Sequence, residues 1–312
     1  MKKLLSIKVI VSAIIIVGLL FIGVGIYFFN IAQIRGEQQI AQMSDLKVDS
    51  PVYEYRKAFF AEKKEIWEME SDDGLLLKAW YLPAPVATNK TIIVAHGHNA
   101  SKERMAEYGW MFHQWGYNVL MPDNRAHGAS EGKLIGYGWN DRLDYLKWID
   151  LVIAENGEDC EISLYGLSMG GSLVMMLSGE ELPSNIISFI QDCGYDSVWN
   201  QIAYRAKVEY SLPTFPIVDQ VSLISKLIAG YSYKEASAVE QLKKNKHPFL
   251  FIHGDEDDYV PVDMVHNNYN ASGGEKELLI VPGAGHADAI EVDLESYEAT
   301  IKGFLDKHMP IQ

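Results

Sequence analysis

Short apolar runs alternate with longer amphipathic segments from about residue 66 to the end of the chain. Residues 66–70 and 75–82 flank Asp73-Gly74, a pair that favours a β-hairpin turn. The later strand-like runs lie at 91–95, 118–121, 161–165, 186–192, 249–252 and 277–281, and the helical patterns at 102–115, 138–155, 172–178, 262–269 and 294–307. This alternation predicts an α/β fold in which helices cover both faces of a mostly parallel central sheet.

One stretch interrupts this rhythm, because more than 50 residues separate the strand that ends at Asp192 from the strand that begins at Phe249. A structureless loop of that length is uncommon in a compact domain. The stretch is helical in pattern over 198–210, 218–229 and 234–244, and it is rich in aromatic residues. It predicts a small helical cap at about 195–246, above the carboxyl ends of the strands, where open α/β sheets bind ligands.

The N-terminal 30 residues follow a different pattern, since residues 9–29 form a run of 21 without a charged side chain. At about 1.5 Å per residue, such a helix crosses a hydrocarbon core of about 30 Å. A cleaved signal peptide is the alternative, but its apolar region is only about 7–15 residues long and ends in an Ala-x-Ala-like site. We therefore expect a transmembrane anchor over residues 1–30. Lys2, Lys3 and Lys8 precede the run, which by the positive-inside rule places the N-terminus in the cytoplasm and the bulk outside.

The rest of the chain is expected to form one large domain. Residues 31–62 are predicted to be a juxtamembrane linker with an amphipathic helix over 52–60, and residues 63–312 the folded domain. The chain has 312 residues, 48% of them hydrophobic, which is ample for one core. The net charge is −15, and because the first 29 residues hold three lysines and no acid, the remainder carries −18. This charge argues against a nucleic-acid partner and against broad adhesion to anionic lipid.

The two cysteines, Cys160 and Cys193, are expected at opposite ends of neighbouring strands, about 15–20 Å apart at about 3.3 Å per residue. A disulfide needs Cα atoms within about 7 Å, so we expect two buried thiols. The chain contains neither a P-loop nor a dinucleotide glycine fingerprint, and the sequence calls for no cofactor and no metal. It leaves the oligomeric state open.

The most informative motif is Gly166-Leu-Ser-Met-Gly170, which follows a strand-like run and precedes a helical one. Strand, G-x-S-x-G and helix together are typical of a nucleophile elbow, a sharp turn that lifts a serine to the top of a sheet. The glycines are needed because a side chain at either position would collide with the neighbouring strand or helix. Ser168 is therefore the candidate nucleophile.

A serine hydroxyl becomes a good nucleophile when a histidine accepts its proton and a carboxylate orients that histidine. Among the downstream histidines, His286 is the candidate base, because it follows a strand in the glycine-rich loop Pro282-Gly-Ala-Gly-His286. The acid is expected after the preceding strand, in a loop with three aspartates. Asp257 is the first choice, Asp255 the next, and Asp192, at the end of an earlier strand, the outside alternative.

A tetrahedral intermediate needs two backbone N–H donors. One is expected from Met169, directly after the nucleophile, and the other from His98, in the loop where Gly97 lets the chain pass close to a substrate. His96 is more simply explained as an anchor of that loop. Arg125 and His127 are expected to brace neighbouring loops.

These motifs, taken in order, resemble the α/β-hydrolase superfamily. The matching stretches are His96-Gly97, Asp123-x-Arg-x-His-Gly128, the elbow, His253-Gly-x-x-Asp-x-x-Val-Pro261 and Gly283-x-Gly-His286, which together span roughly residues 66–307. In detail the chain is similar to membrane-anchored hydrolases of Gram-positive bacteria, grouped with serine aminopeptidase-like and prolyl-oligopeptidase-like domains. The resemblance implies a nucleophile at Ser168, an acid at Asp257 and a base at His286. Ala126 departs from the pattern, since relatives often carry glycine there.

The resemblance implies hydrolysis of an ester, thioester or amide. The leading interpretation is a serine hydrolase of the cell membrane that cleaves a small-molecule acyl compound, preferably a carboxylic ester, through an acyl-serine intermediate. An amidase or peptidase of the same fold is the first alternative. A non-catalytic, membrane-tethered binding protein is the second, although such proteins usually lose a residue of the triad.

Overall fold

The fold is organised around one twisted sheet in the computed structural model, which describes residues 2–36 and 47–311. Within that part of the chain the sheet has eight strands in the order β1-β2-β4-β3-β5-β6-β7-β8. Their bounds are Glu65–Glu70 (β1), Leu76–Leu82 (β2), Lys90–Ala95 (β3), Asn118–Pro122 (β4), Glu161–Leu167 (β5), Ile186–Asp192 (β6), Phe249–Gly254 (β7) and Lys276–Val281 (β8). Strands β3 to β8 run parallel, and β2 pairs antiparallel with both β1 and β4.

The helices flank this sheet or rise above it. Their bounds are Lys2–Gln33 (α1), Tyr53–Ala61 (α2), Ala106–Gln114 (α3), Asp141–Asn156 (α4), Met169–Leu177 (α5), Val198–Tyr210 (α6), Asp219–Ile228 (α7), Ala238–Leu242 (α8), Asp263–Ala271 (α9), Ala289–Val292 (α10) and Leu294–His308 (α11). One hydrophobic core joins the sheet to α4, α5 and α9, and a second joins its other face to α2, α3 and α11. The predicted mostly parallel sheet with helices on both faces is confirmed.

The predicted hairpin is also confirmed, with Glu65 paired to Tyr81 at one end of the register and Glu70 to Leu76 at the other. Gly74 has φ +83°, a conformation that glycine adopts without strain. Helix α4 begins at Asp141, later than the pattern predicted, because Gly138 lies at φ +79°. Cys160 and Cys193 are buried free thiols, as expected.

The stretch between β6 and β7 is helical over the first two segments that its pattern predicted, but the third, predicted over 234–244, is helical only over Ala238–Leu242. Helices α6, α7 and α8 lie there, with a π-helical turn over Thr214–Val218. The Ser197 side chain accepts a hydrogen bond from the Asn200 N–H and so caps α6, and Ser237 caps α8 in the same way through Glu240. A bridge between Ser197 and Ser237 closes the base of this cap.

The C-terminal turns of α1 pack onto the domain instead of leading directly into a free linker. Phe29 is only 2% exposed and Gln33 is fully buried. The Gln33 amide donates to Tyr231 Oη at 2.9 Å, and Tyr233 Oη donates to Gln33 Oε1 at 3.2 Å. The Arg35 guanidinium donates to the carbonyl oxygens of Gly128 and Ser130. The start of the segment that the sequence assigned to a linker is therefore tied to the cap and to the loop after β4.

Helix α2 forms as predicted and covers one face of the sheet. Its Phe59 side chain is fully buried, and a Cβ at Gly109 of α3 would come within 2.7 Å of the Phe59 ring. Its Arg56 side chain pairs with Glu107 and Glu291. The middle of the predicted linker, residues 37–46, lies outside the described residues.

Candidate active site

The turn between β5 and α5 holds Ser168 in a strained conformation. Its φ is +56° and its ψ −114°, values that a side-chain-bearing residue rarely adopts. A Cβ at Gly166 would collide with the carbonyl of Gly170, and a Cβ at Gly170 would collide with the carbonyl of Ala95. The Ser168 N–H donates to the Asp192 carbonyl at 2.8 Å, which holds the turn against β6. The two glycines thus permit a close approach that no other residue allows.

A row of hydrogen bonds connects Ser168, His286 and Asp257. Ser168 Oγ lies 2.8 Å from His286 Nε2, and His286 Nδ1 lies 2.7 Å from Asp257 Oδ2. An ionised carboxylate can only accept, so Nδ1 carries the proton and donates it to Asp257. In the neutral ring, Nε2 is then the acceptor for the serine hydroxyl. Three residues from the loops after β5, β7 and β8 are brought together in the order that general-base activation requires.

Asp257 is buried, with 6% of its surface exposed, and its carboxylate is saturated with donors. Oδ1 accepts the N–H groups of Tyr259 and Val260, and His253 Nε2 lies 3.3 Å from Oδ2. Burial raises the pKa of this carboxyl, but hydrogen bonds from His253, His286 and the backbone lower it further, so that its pKa lies well below the usual range. Asp257 therefore stays ionised and keeps the imidazole in one orientation.

The other candidate acids do not contact His286. Asp255 is exposed, and its Oδ1 accepts the Gly283 N–H at 2.6 Å. That bond ties the loop after β7 to the loop after β8. Asp192 is 1% exposed, and its Oδ2 accepts the Tyr297 hydroxyl at 2.8 Å. Each has a structural partner of its own, and Asp257 alone of the three bonds to the imidazole.

Asp192 gives the protein a pH-dependent stability. Burial raises its pKa to about 6, against the hydrogen bond from Tyr297. Because this pKa exceeds the ordinary value, the folded state binds the proton more tightly than the unfolded chain. The unfolding free energy therefore falls as pH rises through the window from about 4 to about 6, and Asp192→Asn lacks that fall. Denaturant titrations of the wild type and of Asp192→Asn at about pH 5 and about pH 7.5 measure this change in unfolding free energy. If the two proteins differed in unfolding free energy by the same amount at both pH values, the assignment to Asp192 would be contradicted.

The histidines and the arginine near the elbow brace its loops, as predicted. His96 Nε2 accepts the Asn124 N–H at 2.9 Å, and His127 Nε2 accepts the Asn99 N–H at 3.3 Å. Arg125 donates two hydrogen bonds to Asp144, at 2.7 and 2.8 Å, and also binds the Asp73 carboxylate. Between Arg125 and His127, Ala126 adopts φ +60°, a conformation that a glycine would reach without strain.

Two backbone segments lie next to Ser168: the start of α5 at Met169 and the loop that contains Gly97 and His98. Met169 is the first residue of α5, where N–H groups have no partner within the helix. A Cβ at Gly97 would lie 3.4 Å from both the Leu167 carbonyl oxygen and Ser168 Cβ, so the loop that contains His98 runs against the serine. The His98 ring stacks on Tyr137 with centroids 5.4 Å apart, and burial lowers the pKa of His98 to about 4. Its Nε2 has no hydrogen-bond partner among the described residues.

Two cavities meet at Ser168. The first, with about 910 Å³ of space that is partly open to solvent, lies between the elbow, the cap and the end of α1, and its walls are mostly apolar. The residues that contribute to these walls include Phe28, Ile31, Tyr137, Met169, Tyr195, Ile202, Ala206, Tyr210, Ile217 and Val221. The second, of about 1040 Å³, lies on the side of α2 and α3 and is lined by charged side chains, among them Arg56, Glu103, Arg104, Glu107 and Glu291. An apolar group and a polar group of one molecule can thus lie on opposite sides of the serine.

Among the residues that the structure describes, two groups of side chains have the composition of metal ligands. Ligand atoms of Cys193, Asp257 and His286 lie within 4.8 Å of one another. Burial raises the pKa of the Cys193 thiol well above its ordinary value, and a protonated thiol is a poor ligand. The second group, Glu275, Glu277 and His308, is at the surface, and both of its carboxylates pair with a lysine, Lys307. Neither group favours a metal over the contacts already made.

Comparison with known proteins identifies the relatives of this chain. Residues 87–191 match the family described as serine aminopeptidase, S33. The Bacillus subtilis (strain 168) protein YqkD is 31% identical over 307 residues, which cover 98% of each chain.

Solved structures share the fold. The Pyrococcus furiosus esterase Pf2001 aligns with a TM-score of 0.65 at 22% identity, over 89% of this chain and 98% of its own. The Pyrococcus horikoshii acylaminoacyl peptidase aligns with a TM-score of 0.61 at 19% identity, over 80% of this chain and 42% of its own. At these identities the likeness shows a common architecture and carries no information on substrates.

Proposed function

Since the chain belongs to the serine aminopeptidase S33 group of the α/β-hydrolase superfamily, we propose that this hydrolase cleaves carboxylic esters through an acyl–Ser168 intermediate. The observation that carries the proposal is the hydrogen-bonded row from Ser168 through His286 to Asp257, at the junction of an apolar and a charged cavity. The acyl group of the ester occupies the apolar cavity, and the alcohol leaves through the charged one. No cofactor takes part in this chemistry.

The reaction proceeds in two halves. Ser168 Oγ attacks the carbonyl carbon while His286 Nε2 accepts its proton, and the N–H groups of Met169 and His98 stabilise the oxyanion. The tetrahedral intermediate collapses, the C–O bond to the alcohol breaks, and His286 returns the proton to the leaving oxygen. Water then attacks the acyl-serine with His286 again as base, which releases the carboxylic acid and restores Ser168. Throughout, the ionised Asp257 holds the imidazole and stabilises its protonated form.

A fluorophosphonate probe tests whether the serine is activated. We expect the full-length protein in detergent to react covalently at Ser168, because the probe requires the same base and oxyanion donors as an ester. Peptide mass spectrometry locates the adduct, and prior heat denaturation supplies the negative control. A folded protein that stays unlabelled would support the alternative of a binding protein without activity.

A peptidase is the second candidate function, and Glu103 is the observation that favours it. Aminopeptidases need a carboxylate for the substrate's ammonium group. In the charged cavity Glu107 and Glu291 are paired with Arg56, but Glu103, bonded to Lys102 through Oε1, has a buried Oε2 without a partner among the described residues. Rates on p-nitrophenyl esters and aminoacyl p-nitroanilides decide between the two. If anilides are the better substrates and Glu103→Gln lowers their rate alone, the peptidase function replaces the esterase.

The apolar cavity is expected to set the acyl-chain preference. Ala206 lines its wall from α6, so Ala206→Phe fills part of the space that a long acyl chain needs. We expect at least about a tenfold loss in kcat/KM for dodecanoyl esters and little change for acetyl esters, because steric exclusion acts only on the longer chain. Ala154→Phe, at an exposed position of α4, is the matched control. A uniform loss over all chain lengths would place the acyl group elsewhere.

We infer further that α1 anchors the protein in the cell membrane, with the N-terminus in the cytoplasm and the hydrolase domain outside. Lys8–Gln33 is long and apolar enough to cross a membrane by length and composition, a test that a signal sequence also passes. The extension of the same helix into the cap, through Phe29 and Gln33, favours retention, because cleavage would remove a buried part of the domain. Extraction at alkaline pH and protease treatment of wall-free cells test the anchor and its orientation.

A further inference from the structure

An apolar surface lies on the outside of the cap, beside α1. It consists of Phe215, Leu223, Leu227 and Ile228, whose side chains are between 56% and 77% exposed; we refer to these four residues as the apolar cap face. Three of them belong to α7, and Phe215 lies in the π-helical turn that precedes it. Soluble monomers rarely expose large apolar side chains in such a cluster, which marks a surface that contacts another apolar phase.

This face is placed against the second half of the apolar helix. Gln220, on α7, donates from Nε2 to the Phe21 carbonyl at 2.8 Å. Gly25 is buried beneath the same Gln220 side chain, and the Phe28 ring meets Tyr210 with centroids 5.4 Å apart. Residues 8–20 of α1, by contrast, are exposed throughout. Contact with the cap therefore begins near Phe21, well before the uncharged run ends at Phe29.

The length of the free part of α1 determines how deep the cap must lie. Residues 9–20 are 12 apolar or small residues, which span about 18 Å at about 1.5 Å per residue. A hydrocarbon core is about 30 Å thick, so about 12 Å of it remains to be crossed by the part of α1 that carries the cap. Any cap surface that flanks these turns is then in contact with lipid. Interfacial helices are buried to about 5–10 Å, a depth that α7 can reach.

The charges around the face suit this position because they are paired. Asp219 bonds to Lys234 at 3.3 Å, and Lys226 bonds to Glu235 at 2.8 Å. Lysine stems of this length can also extend toward the headgroup region. These two charge pairs beside the apolar cap face oppose insertion less than isolated ions would.

The cavity that leads to Ser168 lies between the same two elements. Phe28 and Ile31 of α1 form one wall, and Ile217 and Val218, which directly precede α7, contribute to another. We propose that the apolar cap face is immersed in the outer leaflet and that the substrates are acyl esters resident in the bilayer, whose chains enter the cavity between α1 and the cap. This assignment rests on the proposed ester hydrolysis and gives it a substrate class.

Lipid contact is tested directly by fluorescence. The native thiols are buried, so a cysteine introduced by Leu227→Cys can be labelled selectively with a small fluorophore in the full-length protein. Val86→Cys, at an equally exposed apolar position outside the cap, is the control. In phosphatidylcholine–phosphatidylglycerol vesicles that contain brominated acyl chains, we expect strong quenching at residue 227 and none at 86. Equal, weak quenching at both sites would overturn the proposal. A cross-linked dimer without quenching at residue 227 would also overturn it, because a second copy of the protein would then cover the apolar cap face.

The substrate class is tested by activity in the same vesicles. Leu223→Gln with Leu227→Gln is expected to reduce hydrolysis of vesicle-borne monooleoylglycerol by at least about tenfold, because two leucine side chains lose their burial in hydrocarbon. Hydrolysis of soluble p-nitrophenyl acetate should be unchanged, since neither leucine lines the cavity. Ile66→Gln with Val86→Gln, at exposed sites away from the cap, is the matched control.

Different results would contradict the membrane-borne substrate and the esterase activity. If the wild type hydrolyses the soluble ester but not the vesicle-borne one, the membrane substrate is wrong and the esterase stands. If the leucine pair loses nothing on the vesicle-borne ester, the proposed role of the apolar cap face is wrong and the esterase stands. If the wild type hydrolyses neither ester and Ser168 stays unlabelled by fluorophosphonate, the esterase itself is wrong. Quenching at residue 227 with no activity would retain the membrane contact and remove the substrate class.

Discussion

Ser168→Ala is expected to reduce the rate of p-nitrophenyl ester hydrolysis by about 10⁶-fold and to leave the protein folded. The substitution removes the atom that is proposed to form the acyl-enzyme, and the oxyanion donors and substrate-binding surfaces that remain would account for little of the rate. We expect the fold to survive because the only side-chain hydrogen bond described for Ser168 is the one from Oγ to His286. The rate is measured with the full-length protein in detergent, and folding is checked by circular dichroism.

Ser172→Ala is the matched control for this prediction. Ser172 lies one turn further along α5, is fully buried, and donates through Oγ to the Tyr195 carbonyl at 3.0 Å. Its loss is expected to lower stability by about 1 kcal/mol and to leave the rate within about tenfold of the wild type. If the Ser168 variant kept more than a few per cent of the activity, or if Ser172→Ala lost as much, the nucleophile would have been misassigned.

Asp257→Asn is expected to reduce kcat by about 10⁴-fold. Oδ1 of Asp257 accepts two backbone N–H groups, from Tyr259 and Val260, so an asparagine must turn its carbonyl oxygen toward them. Its NH₂ group then faces His286 Nδ1, which must become an acceptor. The ring proton moves to Nε2, and the imidazole can no longer take the proton of Ser168.

Asp255→Asn and Asp192→Asn are the controls, and each is expected to stay within about tenfold of the wild-type rate. Asp255 bonds to Gly283 and Asp192 to Tyr297, and neither contacts the imidazole. A large loss at Asp255 with none at Asp257 would move the acid two residues upstream. Comparable losses at Asp192 and Asp257 would indicate that the charge around His286 matters more than the hydrogen bond to it.

The parts of the site that could be predicted from the sequence are those with local causes. The elbow follows from two glycines whose Cβ atoms would meet backbone, a constraint written into five consecutive residues. The choice among the aspartates of the 255–258 loop was harder, because spacing alone puts all of them near the sheet edge. Backbone N–H groups and His253 converge on Asp257, and these contacts depend on how the loop turns back toward β7.

The relation between α1 and the cap could not be predicted in this way. Hydropathy describes each residue of α1 by its own side chain, whereas the contacts of Gln33 with Tyr231 and Tyr233 join segments about 200 residues apart. A uniformly apolar helix has no polar face to indicate which turns are covered by protein and which by lipid. The end of a membrane span is therefore a poor guide to where the folded domain begins.

The docking of α1 also changes what proteolysis would do to this protein. A cut after Phe29 would take away that buried side chain together with Phe28, so that water replaces protein along one wall of the apolar cavity. If the protein is the proposed membrane-anchored esterase, we expect the released fragment to favour short acyl groups that need only the region next to Ser168. For the same reason we expect a fragment that begins at residue 31 to differ from the intact chain in its selectivity among acyl esters.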